Sequence, residues 1–182
     1  RKPMRQYLDV LQDIMDTGYD RRGRNAMTRA KFAVPMRFDL QDGFPAVTTK
    51  KLAWNAVVSE LLWFIEGSGD DKRLRELNGT ESTIWTANAE ADYWTPKAEF
   101  EGDLGRIYGV QWRRWKRPDG TEVDQLADVI ARIKTDPYDR RLIVTAWNPG
   151  ELDQMALPPC HMMFQFFVAD KKLSLLSLIH IS

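Results

Sequence analysis

Leu157-Pro158-Pro159-Cys160-His161-Met162-Met163-Phe164-Gln165-Phe166-Phe167-Val168 decides the fold. Met162–Val168 is nearly continuously apolar, as a strand in the middle of a sheet would be. Two prolines fix the approach, and Cys160 stands at the mouth of the strand. Upstream, Leu142–Trp147 reads as a strand bounded by Asn148-Pro149-Gly150. Downstream, Asp170-Lys171-Lys172 reads as a turn into a further strand at Leu173-Ser174. Helical periodicity flanks this sheet. Tyr7, Leu8, Leu11, Ile14 and Met15 share a helix face that Gly18 ends. Trp54, Val57, Val58, Leu61, Leu62 and Ile65 predict a helix over 53–66, and Trp63 and Phe64 widen its apolar face until the helix should be buried. A short helix is expected over 73–77. Leu126, Val129, Ile130 and Ile133 mark another, with Asp128 and Arg132 spaced as an i,i+4 pair. Tyr19–Asn25 reads as a basic loop, Phe32–Leu40 as extended, and 86–104 as a long loop without period.

The 182 residues suffice for one domain with a hydrophobic core. Hydrophobic residues at 43% and charged residues at 29% argue against wholesale disorder. Lys plus Arg and Asp plus Glu both number 26, so a strongly basic nucleic-acid binder is not indicated. No apolar run is long enough to span a bilayer. The single cysteine excludes an intrachain disulfide and a Cys-rich zinc site, and points to a reducing cytosol. The first methionine, Met4, reads as the start, after three stray residues. Leu176–Ser182 matches the translated end of a common transposon-based sequencing adapter, so 176–182, with His180, is set outside the fold.

Several residues could carry chemistry. Cys160 suits an activated thiol at a sheet end, although a buried structural cysteine is locally the commoner occurrence. His161, taken alone, is more often a hydrogen-bonded core histidine than a base. Glu60 lies on the most apolar helix, where desolvation raises a carboxyl pKa and suits it to proton transfer; the bland alternative is a subunit edge or an arginine partner. Arg140-Arg141 precedes a strand and suits a phosphate or carboxylate, as does the Arg21-Arg22-Gly23-Arg24 loop. Either run could equally be a solvated charge cluster. Trp85, Trp94, Trp112 and Trp115 could stack on a flat ligand or fill the core.

Together these pieces resemble the thymidylate synthase family. The matching segments are Asp20-Arg21, Gly43–Lys51, Glu60-Leu61-Leu62-Trp63-Phe64, Ile84-Trp85, Gly102–Gly105, Tyr108-Gly109, Gln111-Trp112-Arg113, Asp124-Gln125-Leu126, Asp139-Arg140-Arg141, Ala146–Pro149, Met155–His161 and Phe164-Gln165-Phe166. Their order and approximate spacing hold from Met4 to Ser174. The resemblance implies an α+β fold: a mixed or antiparallel sheet packed by helices, with a sheet face forming a homodimer interface. It implies a catalytic portion over 4–175, and reductive methylation of dUMP with 5,10-methylenetetrahydrofolate as co-substrate and no metal. Cys160 would add to pyrimidine C6, with Glu60, Tyr108 and His161 organising water and proton transfers. Arg21 would hold the substrate phosphate, and Arg140 and Arg141 would reach the partner subunit's phosphate. Trp85 and Asn88 would lie at the folate. A cytoplasmic, membrane-free enzyme without dedicated nucleic-acid binding is implied.

Departures accompany the match. Thr86 stands where an Asp is usual, and Arg106 where a Pro is usual. Arg22–Asn25 replaces small residues, and the loop between Asn88 and Asp103 is longer than in the shortest members. The family continues beyond Leu-Ser into a Cys-Gln-x-Tyr-Gln-Arg-Ser segment, so the C-terminal part is expected to be missing and the chain itself inactive. A deoxypyrimidine nucleotide hydroxymethylase of the same superfamily, or a non-catalytic remnant, are the alternatives.

Overall fold

The computed structural model describes residues 2–179. They fall into two compact units, one ending at Ala53 and the other beginning at Trp54.

The first unit opens with α1 (Lys2–Thr17). Gly18 ends it as expected: its N–H donates to the Ile14 carbonyl at 2.9 Å, and a Cβ there would strike that same oxygen. The segment expected as a basic loop is instead a hairpin of β1 (Tyr19–Arg22) and β2 (Met27–Ala30). Asp20 and Arg29 face each other across it and pair at 2.8 Å. An opposite-charge pair in register supports a ladder that no apolar alternation announces. The stretch expected to be extended forms no strand. Ala33 takes a positive φ of 58°, Pro35 follows, and a 3-10 turn covers Leu40–Asp42.

In the second unit, α2 (Trp54–Glu66) is followed by α3 (Asp71–Asn78) and the one-turn α4 (Thr86–Ala89). Next come α5 (Tyr108–Arg113), a small hairpin of β3 (Trp115–Lys116) and β4 (Glu122–Val123), and α6 (Gln125–Thr135). The unit closes with β5 (Ile143–Thr145), β6 (His161–Ala169) and β7 (Lys172–Ile179), an antiparallel sheet in the order β5-β6-β7. β6 is central, as its apolar run predicts. Val144 opposes Phe164, and Phe166 opposes Leu175. The β6–β7 turn puts Asp170 and Lys171 at φ of 49° and 59°, two left-handed residues of the kind that match strand twist. Of the adapter-like segment, 176–179 belong to β7 and 180–182 lie outside the described residues.

The core gathers Trp63, Phe64, Trp85, Leu104, Tyr108, Trp112, Leu142 and Val144. The fold is thus α+β with antiparallel sheets. Helix α2 departs from expectation. Only Ser59, Trp63 and Phe64 are buried, while Leu61 and Leu62 stay 51% and 48% exposed. Apolar breadth says that a helix wants cover, not which element supplies it. The long 86–104 segment is packed rather than loose: Trp94 is buried and its indole N–H donates to the Asp103 carbonyl at 2.6 Å. On α6, Arg132 pairs with Asp139 at 3.4 Å rather than forming the i,i+4 pair with Asp128. Its guanidinium also reaches the Arg141 carbonyl at 3.2 Å, so it is turned toward the segment that follows the helix.

Candidate active site

Strand β6 begins at His161, so the two prolines deliver Cys160 to the strand's head with its side chain half-buried. Helix α5 faces it. Gly109 packs so closely on α2 that an added Cβ would lie 2.6 Å from the Phe64 carbonyl oxygen. That approach brings the buried Tyr108 to Cys160. The Tyr108 phenol oxygen accepts the Cys160 N–H at 2.6 Å and the His161 N–H at 3.2 Å. Desolvation pushes its pKa up to about 12 against the opposing pull of those two amides, so the phenol stays protonated at neutral pH. Its ring packs 4.8 Å from Phe64, 6.0 Å from Trp85 and 5.8 Å from His161.

Glu60 on α2 is partly buried. Desolvation raises its pKa, with the Trp85 indole N–H the opposing influence. That N–H is itself buried and makes no hydrogen bond of normal geometry. His161 keeps an exposed edge, yet desolvation lowers its pKa and favours the neutral imidazole. A thiol, a carboxyl inclined to hold a proton, a protonated phenol and a neutral imidazole are the parts of a covalent mechanism with proton transfers.

Residues 5–179 match the pattern of the family described as thymidylate synthase. The chain belongs to that family. Two thymidylate synthases of Coxiella burnetii, from strains Dugway 5J108-111 and RSA 331 / Henzerling II, are each 52% identical to it over 172 residues. That stretch is 94% of this chain, and the chain spans 61% of the length of these relatives.

Other residues singled out on the family resemblance have settings of their own. Arg21 lies exposed on β1 in the first unit. Arg140 and Arg141 are exposed just ahead of β5. The Gln165 amide donates to the Arg140 carbonyl at 3.2 Å, which puts Arg140 beside the distal half of β6. Trp85 is only 5% exposed, its ring enclosed by Trp63, Phe64 and Tyr108. Asn88 is half-buried, and its amide donates to the Tyr93 hydroxyl at 3.2 Å. Among the described residues no cluster of His, Cys, Asp and Glu could hold a metal ion. No helix among them is long and apolar enough to cross a membrane.

Two polar networks behind this site escaped the sequence. In one, Arg106 pairs with Glu151 at 2.6 Å, both largely buried. The buried Gln111 amide donates to the same carboxylate at 2.8 Å and to the Arg106 carbonyl at 3.0 Å. Burial pushes the Glu151 pKa up, but the Arg106 and Gln111 contacts outweigh it, and the net shift is down. The departure at Arg106 was the available signal. In the other, the wholly buried Asp71 accepts from Thr83 and Thr86 and pairs with Arg75. The helix expected over 73–77 leaves Asp71 outside it, and nothing in the local sequence marks that carboxylate as buried.

Proposed function

We propose that the natural gene product containing this chain converts dUMP to dTMP, using 5,10-methylenetetrahydrofolate as co-substrate. The observation that carries this reading is Cys160 at the head of β6 with its amide held at 2.6 Å by the buried Tyr108 phenol. Family membership supplies the reaction. Cys160 adds as a thiolate to C6 of the pyrimidine and makes C5 nucleophilic. The folate supplies the one-carbon unit and the hydride. Glu60, inclined by burial to hold its proton, and Tyr108 organise water and proton transfers, with His161 in the same network. Trp85 and Asn88 lie toward the folate.

Arg21 holds the substrate phosphate, and Arg140 and Arg141 serve the site of a partner copy in a homodimer. The position of Arg140 supports that exchange. It lies beside Gln165, five residues and about 17 Å of strand from Cys160, so a partner's site is the readier target. The enzyme is cytoplasmic on this reading, and residues 4–175 are its catalytic portion. Residues 176–182 are adapter-derived. Sequencing the codons for Ser174–Ser182 from an adapter-free library checks this last point, and an unchanged frame through Ser182 refutes it.

The functional test is incubation of the natural gene product with 5-fluoro-dUMP and methylenetetrahydrofolate, alongside turnover of dUMP. The expected result is a covalent adduct on Cys160, dTMP as product, and loss of both in Cys160→Ser. A hydroxymethylated product would replace this reading with the hydroxymethylase. Absence of any adduct or product would leave a non-catalytic protein.

A further inference from the structure

We propose that Asp71, through the hydroxyls of Thr83 and Thr86, is a positioning residue that holds the Trp85 indole beside Glu60 and so supports proton delivery by that carboxyl. The proposal rests on the role given to Glu60 above.

Asp71 is not needed to cap α3. Asp70 already does so, accepting the Lys72 N–H at 2.8 Å. Yet Asp71 is 0% exposed, and both its oxygens are engaged. Oδ1 accepts the Thr83 hydroxyl at 2.6 Å. Oδ2 accepts the Thr86 hydroxyl at 2.9 Å and the Arg75 guanidinium at 2.7 Å. A carboxylate accepts only, so it forces both hydroxyls to point their protons inward. Their lone pairs then face the backbone. Thr83 Oγ1 accepts the Trp85 N–H at 3.0 Å, and Thr86 Oγ1 accepts the Thr83 N–H at 2.8 Å. Asp71 thus polarises a closed loop whose output is the backbone position of Trp85.

The ring has little freedom of its own. Its centroid lies 5.7 Å from Trp63, 6.5 Å from Phe64 and 6.0 Å from Tyr108. Its Nε1 is buried without a hydrogen bond of normal geometry, an arrangement a free side chain would relax. The surroundings therefore impose the indole's position, and Glu60 shares its face: it lies three and four residues before Trp63 and Phe64 on α2, the two rings that Trp85 packs against. Thr86, one of the positions at which the family match departs, belongs to the same loop.

The test compares Thr86→Val, Thr86→Ser and Asp71→Asn in 15N-tryptophan-labelled protein, with the Trp85 indole signal assigned by Trp85→Phe. The indole signal should move in Thr86→Val and Asp71→Asn and return in Thr86→Ser, which keeps the hydroxyl. In turnover, Thr86→Val should lower kcat about tenfold with KM for dUMP unchanged, and Thr86→Ser should restore it. An indole signal unmoved in a folded Thr86→Val protein overturns the proposal. So does a kcat loss that tracks Tm and is not rescued by serine, because that is a structural role alone. If the unsubstituted protein makes no dTMP, the proposed function fails, and the indole signal still decides whether Asp71 positions Trp85.

Discussion

The Tyr108 oxygen accepts two consecutive amides, those of Cys160 and His161, at a chain separation of more than fifty residues. Phenylalanine at this position would leave both donors without that acceptor inside the protein. Tyr108→Phe should therefore cost about 1–3 kcal/mol in a denaturant melt. It should also lower kcat well beyond what that loss explains, because Cys160 is no longer held. A variant that melts and turns over like the parent would remove Tyr108 from the site. Glu60 makes a pH prediction. Its folded pKa is raised above the ordinary 4.5, so the folded state binds more protons than the unfolded state above that pH. The Glu60 contribution to stability is full below about pH 4.5 and is lost as pH rises through the folded pKa. Glu60→Gln should then gain stability relative to the parent on going from pH 4 to pH 7, while losing turnover. Paired urea melts at the two pH values check the sign. Residue types at this scale were legible: a cysteine after two prolines and a carboxyl on an apolar helix announce themselves. The Tyr108 acceptor role was not, because it exists only once α5 and β6 meet.

Elements show the same division. The central strand β6 and the α6 stripe follow directly from apolar period, and the two left-handed turn residues confirm the β6–β7 hairpin. The β1–β2 hairpin was illegible because its supporting pair, Asp20 and Arg29, carries charge rather than an alternating pattern. Motif residues also proved structural. Gln125 bridges α5 to β5, its amide donating to the Gln111 and Thr145 carbonyls at 2.7 and 2.9 Å. Asp124 caps α6 and pairs with Arg113 at 2.8 Å. The Arg106–Glu151 pair does the comparable task for the chain leading to Cys160. Arg106 also donates its backbone N–H to Gln154 at 2.8 Å, so one residue fixes the 149–154 turn by side chain and main chain. Arg106→Ala leaves the Glu151 carboxylate buried with only Gln111, and should cost about 3–5 kcal/mol. Arg106→Ala combined with Glu151→Leu should recover part of that loss. Thermal melts of the single and double variants decide it, and equal losses in both would mean that the pair is not what holds the turn.

At the scale of the molecule, apolar surface is the dominant unsettled feature of the second unit. Leu61 and Leu62 on α2 are about half exposed, and Val57 on the same helix is 41% exposed. Phe167 on β6 is 66% exposed, and Leu176 on β7, which shares its sheet face, is 59% exposed. Scattered apolar residues on a surface mean little, but contiguous patches on a helix face and on a sheet mark contacts with further protein. Charge offers no counterweight, since the formal net charge is zero and repulsion between copies is correspondingly weak. The 182-residue chain expressed by itself should therefore self-associate as its concentration rises. Light scattering across a dilution series should show mass growing with concentration and little dependence on salt, as apolar contact requires. Leu61→Glu should reduce the association through α2, and Phe167→Glu through the sheet, with the double variant showing the larger effect. A monodisperse monomer at every concentration would mean that these faces are satisfied within a single chain.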